Sequence, residues 1–183
     1  TRREKPGQGE IDDELVFLDL DEPQDAESAA QPAESSHASV EKIVAELAAL
    51  LGPGKVSVRG TDLEEHASDK WYARQVPDIV VFAESVQDVS RTLRFASKWS
   101  IPVTTRGAGV GYVGGCVPVE GGIVLSVARM NRIVELSPAD GVAVVQPGVI
   151  TGDLQKAARA VGWDYPPDPA SLKECSIGGN IAT

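Results

Sequence analysis

Apolar residues recur at helical spacing in Val40, Ile43, Val44, Leu47, Leu50 and Leu51, and Gly52, Pro53 and Gly54 end that run. Residues 56–58 form a short strand candidate, and residues 59–74 read as charged and irregular. The continuous apolar run Ile79, Val80, Val81, Phe82, Ala83 predicts a buried strand. Ser85 then caps a helix, with Asp88 three positions on and Val86, Val89, Leu93, Phe95 and Ala96 marking its apolar face up to Trp99. Residues 101–105 are the next strand. Strand, helix and strand at this spacing predict a parallel, right-handed βαβ unit. Beyond a glycine-rich stretch, residues 122–127, 132–136 and 142–146 read as three strands joined by short polar turns, a spacing that predicts antiparallel pairing. Thr151 opens a further helix with Leu154, Ala157, Ala158 and Val161 on one face and Gly162 at its end. Residues 163–171 are too rich in proline for a ladder.

The glycine stretch begins Arg106, Gly107, Ala108, Gly109, Val110, Gly111, and continues through Gly114 and Gly115 to Pro118. Gly109, Gly111 and Gly114 match the dinucleotide fingerprint in spacing. That fingerprint requires a strand to run through the glycines into a helix whose N-terminus holds the pyrophosphate. Here Gly115, Pro118, Gly121 and Gly122 forbid the helix, and no phosphate-loop Gly-Lys-Ser/Thr occurs. The residues nevertheless suit an anion. Glycines 107, 109, 111, 114 and 115 clear side chains from the path of a ligand. They also tolerate positive φ, so that successive N–H groups converge on one charge. The apolar Val110, Tyr112 and Val113 favour an ordered cradle over a flexible linker.

Four motifs in order carry a resemblance: the run 101–115, then Val144 to Gly148, then Tyr165 to Ser171, then Cys175 to Thr183. Together they resemble the FAD-linked oxidases of the p-cresol methylhydroxylase/vanillyl-alcohol oxidase (PCMH/VAO) fold, in the group that holds the FAD-binding glycolate oxidase component and FAD-dependent D-lactate dehydrogenase. The resemblance implies an α+β fold, a PCMH-type FAD-binding domain over residues 39–183. Two α+β subdomains would hold the flavin between them, the first ending near Val119 and the second starting with the strands after Gly122. It implies that Arg106, Gly107, Ala108, Gly109, Val110, Gly111, Gly114 and Gly115 wrap the pyrophosphate. Pro167, Asp168 and Pro169, with Ser176, Ile177, Gly178, Gly179, Asn180, Ile181 and Ala182, would approach the flavin and ribityl side. The family usually has Thr at the position of Val110 and a small polar residue at that of Val113. The lost hydroxyl is worth about 0.5–1.5 kcal/mol, or about 1.5–3 when its partner is charged. Relatives that attach FAD covalently in this loop carry His at the Val110 position, so non-covalent FAD is expected. The implied reaction is oxidation of a 2-hydroxy acid of the D-lactate or glycolate class by hydride transfer to flavin N5, followed by an electron acceptor. Relatives continue past the position of Thr183 into a substrate domain with the catalytic His and, in some branches, a metal. The chain is therefore expected to be a fragment without catalytic or metal-binding residues of its own. His37 in the tail and His66 in a charged loop are not credible bases. Two readings stay open beside this one: the same fold with another substrate, such as a sugar lactone or an aromatic alcohol, and a non-catalytic scaffold derived from a flavin domain.

Charge changes the picture only at the N-terminus. Residues 1–40 hold 11 of the 27 acidic and 3 of the 17 basic residues, so −8 of the net −10 lies there. Low hydropathy and high charge make residues 1–38 an expected disordered acidic arm. Within it, residues 11–20, from Ile11 to Leu20, interleave apolar and acidic positions and form a candidate docking peptide for a protein partner. The near-neutral remainder excludes non-specific binding to nucleic acid. No apolar run reaches the roughly 18 residues of a membrane span, and no secretory pattern is visible. Cys116 and Cys175 form neither a disulfide framework nor a metal knuckle, and a cytoplasmic setting is expected.

Overall fold

The computed structural model describes residues 37–182, so the acidic arm and its 11–20 stretch lie outside the described residues. After α1 (His37–Leu51), β1 (Val56–Ser57), α2 (Gly60–Glu65), β2 (Ile79–Phe82), α3 (Val86–Trp99), β3 (Val103–Arg106) and β4 (Ile123–Ser126) build the first subdomain. β5 (Ile133–Ser137), β6 (Val142–Val145), α4 (Thr151–Ala160) and α5 (Ile177–Ala182) build the second. Each subdomain has its own apolar core. The larger joins Leu47 and Leu51 of α1 and Phe95 and Ala96 of α3 to Ile79, Val81, Ile123 and Leu125 of the sheet; the smaller centres on Val149, Leu154 and Ile177. Among the described residues no helix is long and apolar enough to cross a membrane.

The first sheet runs β1-β2-β4-β3. β1 pairs antiparallel with β2, while β4 lies parallel between β2 and β3, with Ile123 in register with both Ile79 and Val103. This corrects the expectation that residues 122–127 pair antiparallel with the two strands that follow. All four residues of β4 are buried, and a continuous apolar run shielded on both faces is the mark of a strand inside a parallel sheet. Only β5 and β6 form the antiparallel pair, with an irregularity between Ile133 and Glu135. The subdomain boundary therefore falls after β4 and not before it.

A further correction concerns residues 59–74, and a helix not expected from the sequence spans Ile177–Ala182. The first stretch contains α2, whose Asp62 accepts hydrogen bonds from Ser57 Oγ at 2.5 Å and Arg59 Nε at 3.0 Å, tying the helix to β1. His66, expected on a solvated loop, is only 7% exposed. Its Nδ1 lies 2.8 Å from Asp62 O, and its ring meets Phe82 edge-on at 5.4 Å. Charges satisfied by neighbours in sequence let the segment fold inward. Near the C-terminus, Gly178 and Gly179 lie inside α5 despite glycine's poor helix propensity, because the Gly178 side faces the Pro147 backbone with no room for a Cβ.

The α3 cap agrees with the sequence: the Asp88 amide donates to Ser85 Oγ at 3.2 Å. The Asp88 carboxylate also receives Lys55 Nζ at 2.8 Å and the Glu84 amide at 3.1 Å. Burial pushes this carboxyl up, but Lys55, the Glu84 amide and Ser85 outweigh it and hold it below the ordinary 3.8. A lowered carboxyl stabilises the fold above its unfolded value, and that contribution is lost as pH falls through the folded value. Urea denaturation at stepped pH should therefore show stability dropping below about pH 4, with a shallower acid limb in Asp88→Asn.

Candidate functional site

β3 and β4 are neighbours pointing the same way, so their C-terminal ends open side by side. In open parallel sheets a ligand crevice forms at such ends. β3 delivers the glycine loop there, and no helix intervenes before β4. Gly109 and Gly114 take the left-handed backbone, with φ of 69° and 74°, whereas Gly107, Gly111 and Gly115 do not. Among the described residues, no protein acceptor meets the backbone N–H groups of Ala108, Gly109 or Val110. Three successive unmet donors beside a bend are the raw material of an anion nest.

The facing wall comes from the second subdomain. A cleft of about 220 Å³ lies between Ala108 after β3, Ala128 and Asn131 after β4, and Gly148, Asp153 and Ser176. Ser176 is 2% exposed, and its Oγ has no hydrogen-bond partner among the described residues. That hydroxyl sits 2.6 Å from where a Cβ on Gly107 would be, so Gly107 and Ser176 meet only because position 107 has no side chain. A buried unsatisfied hydroxyl is costly unless a partner arrives. The unmet amides, the orphaned hydroxyl and the open lip together suit an anionic group such as a pyrophosphate. The volume of about 220 Å³ lies below the roughly 300–1,000 Å³ of a site enclosing a whole ligand.

Behind the loop lies a wall that sequence reasoning missed. Arg106 is 9% exposed. Its guanidinium donates to Ser68 O at 2.7 Å, Glu65 O at 3.3 Å and Cys116 Sγ at 3.3 Å. Asp69 Oδ2 accepts from the Gly114 amide at 2.9 Å, and the Lys70 amide donates to Gly111 O at 3.0 Å. Burial pushes the Cys116 thiol above its ordinary 9.0, against the pull of Arg106, which keeps it protonated at neutral pH.

The remaining expected residues divide. Ser176 and Ile177 are buried where α5 begins, and Ile177 belongs to the smaller core. Gly178 packs on Pro147, while Ile181 is exposed. Asn180 Nδ2 donates to Thr151 Oγ1 at 2.5 Å, leaving its Oδ1 as the group able to take a donor. Pro167, Asp168 and Pro169 do not line the cleft. They lie along α4, where Gln155 Nε2 donates to Pro167 O at 2.8 Å. Asn131, Asp153 and Gly148 were not expected at the site. Gly148 ends the Val144-to-Gly148 motif, which was the one available signal.

The family described as FAD binding domain matches residues 77–183. The chain is 43% identical to a glycolate oxidase subunit GlcD of Bacillus subtilis over 108 residues, 59% of this chain and 23% of that protein. It is 35% identical to a D-lactate dehydrogenase of Anaerostipes hadrus over 135 residues, 73% of this chain and 28% of that protein. A solved p-cresol methylhydroxylase with substrate bound superposes with a TM-score of 0.69 at 23% identity, over 84% of this chain and 31% of that one, a likeness of fold. The chain thus spans about a quarter of the length of these curated relatives.

The packing at α5 makes a differential prediction. Helix propensity alone favours alanine over glycine by up to about 1 kcal/mol at either position. A Cβ on Gly178 would lie 2.7 Å from Pro147 Cβ and 3.0 Å from Pro147 O, whereas on Gly179 its nearest neighbour is Ser176 Oγ at 3.6 Å. Overpacking of about 1–3 kcal/mol wins at the first site. Thermal melting should therefore show Gly178→Ala destabilised and Gly179→Ala unchanged or raised.

Proposed function

The chain belongs to the FAD binding domain family of flavin-linked oxidoreductases, and from that premise we propose that it forms the FAD-holding part of an enzyme oxidising a 2-hydroxy acid of the D-lactate or glycolate class. The observation that carries this reading is the set of unmet donors: the Ala108 amide and the buried Ser176 hydroxyl on residues that line one cleft, with the Gly109 and Val110 amides next along the loop. In this reading the loop 107–115 cradles the pyrophosphate, and Ser176 Oγ adds a donor from the opposite subdomain. Asn180, through its Oδ1, and the exposed Ile181 of the 176–182 run are assigned to the flavin and ribityl side, with the 167–169 turn beyond the cleft. The bound flavin supplies the redox chemistry as hydride acceptor. The residues of this chain bind, orient and shield it. Both histidines of the chain stand apart from that task, since His37 lies in α1 and the His66 ring is engaged with Asp62 O and Phe82. The absence of a histidine at Val110 supports non-covalent attachment, and the two free thiols fit a cytoplasmic setting.

A scaffold that has lost its cofactor is the second reading, favoured by Val110 and Val113, which offer no hydroxyl to a phosphate. One titration separates the two. FAD added to the purified chain should change its fluorescence and co-elute on gel filtration, and acid precipitation should release all the colour to the supernatant. D-lactate with a dye acceptor should give no turnover. Absence of any fluorescence change at high FAD concentration would count against the flavin reading, and colour retained in the acid pellet would overturn non-covalent attachment.

A further inference from the structure

We propose that Arg106 is a positioning residue, pinning the 65–69 turn beneath the glycine loop and setting the shape of the loop without touching the bound anion. The inference rests on the FAD reading for its ligand but on this chain's own geometry for its content.

An arginine at the head of a phosphate loop would ordinarily be assigned to the phosphate. Its placement here differs. The guanidinium is buried and turned back under the loop, with its donors directed to Ser68 O, Glu65 O and Cys116 Sγ. Among the described residues no carboxylate forms an ion pair with it. A Cβ on Gly109 would lie 2.1 Å from Nη2 and 2.4 Å from Cζ, so the guanidinium occupies the space a side chain at position 109 would need. Gly109 is thus required twice, by its φ of 69° and by the arginine beneath it. The turn that receives the arginine also returns two ties to the loop, Asp69 Oδ2 to the Gly114 amide and the Lys70 amide to Gly111 O. Arginine, turn and loop close a ring of contacts, and the wide planar fork of the guanidinium spans acceptors on different residues at once. A lysine keeps the charge but presents a single compact head.

The test compares Arg106→Lys, Arg106→Met, Gly109→Ala and the double variant Arg106→Met/Gly109→Ala in the full 183-residue chain. FAD affinity is measured by fluorescence titration at several salt concentrations, and amide exchange of Lys70 and Gly114 is followed without flavin. If Arg106 is a pin, lysine and methionine weaken FAD alike, by about tenfold, and the salt dependence keeps its wild-type slope. Lys70 and Gly114 exchange faster in both. Gly109→Ala weakens FAD more in the wild type than in Arg106→Met, because the group its Cβ meets is gone. If lysine retains wild-type affinity while methionine loses it with a flatter salt dependence, the residue acts on the anion by charge and the proposal is overturned. Unchanged exchange in Arg106→Met overturns it as well. Should the wild-type chain bind no FAD, the functional reading fails, and the exchange measurement still decides the pin by the same two outcomes. Should an Arg106 variant fail to fold, Gly109→Ala with Arg106 in place gives the same exchange readout.

Discussion

The insertion of β4 between β2 and β3 is the constraint from which the cleft follows. Its entry is narrow: Gly122 has φ of 70°, and a Cβ there would meet Pro102 O at 2.4 Å. Asp78 holds the turn, its Oδ2 accepting from the Gly122 amide at 2.7 Å while its own amide donates to Gly122 O. With β4 seated, Val127 N donates to Arg106 O, which fixes the end of β3 against the end of β4. The glycine loop and the 128–131 segment then leave the sheet side by side, and Ala108 and Ala128 become opposite lips of one opening.

From this frame the glycines separate into different physical tasks that sequence spacing alone does not distinguish. Gly107 makes room for Ser176 of the other subdomain, Gly109 for the guanidinium below, and Gly148 for carbonyls at 2.5–2.9 Å from its would-be Cβ. Gly114 has open space around its would-be Cβ but a φ of 74°. Several of these glycines therefore serve contacts within the protein. The unmet amides that would serve a ligand belong to Ala108, Gly109 and Val110, and two of those three residues carry side chains. A Cβ does not block an anion held by the N–H side of the backbone.

Much of the first subdomain was legible. β2 and α3 were marked by an apolar run and a serine cap, both local signals, while Val86 and Leu93, expected on the buried face of α3, are exposed. The glycine loop was legible as an ordered cradle because apolar residues punctuate it and no helix follows. What escaped was non-local. Residues 122–127 have the same apolar content whether they pair with β3 or with β5, and proximity in sequence favoured the wrong neighbour. Residues 65–70 looked like solvated loop because their charges are dense. Yet it is the carbonyls of Glu65 and Ser68, the Lys70 amide and the Asp69 carboxylate that meet the loop, and backbone carbonyls leave no trace in composition. α5 escaped because two adjacent glycines oppose a helix, and the Pro147 surface that selects Gly178 lies about thirty positions away.

A ligand at this cleft does more than fill it. The two apolar cores are separate, and the smaller has few members: Val149, Leu154 and Ile177, with Ile133, Leu136, Val145 and Tyr165 packed on it. The contacts that bring its α5 end to the first subdomain include Gly107 against Ser176, whose hydroxyl is left without a partner. An anion bonded at once to the 108–110 amides and to Ser176 Oγ would bridge the subdomains and relieve that orphaned group. Any ligand that binds the folded form alone adds to its stability by mass action, and here the gain would fall on the smaller core. The loop brings donors without acceptors, the second subdomain brings a hydroxyl without a partner, and one bound group would answer both.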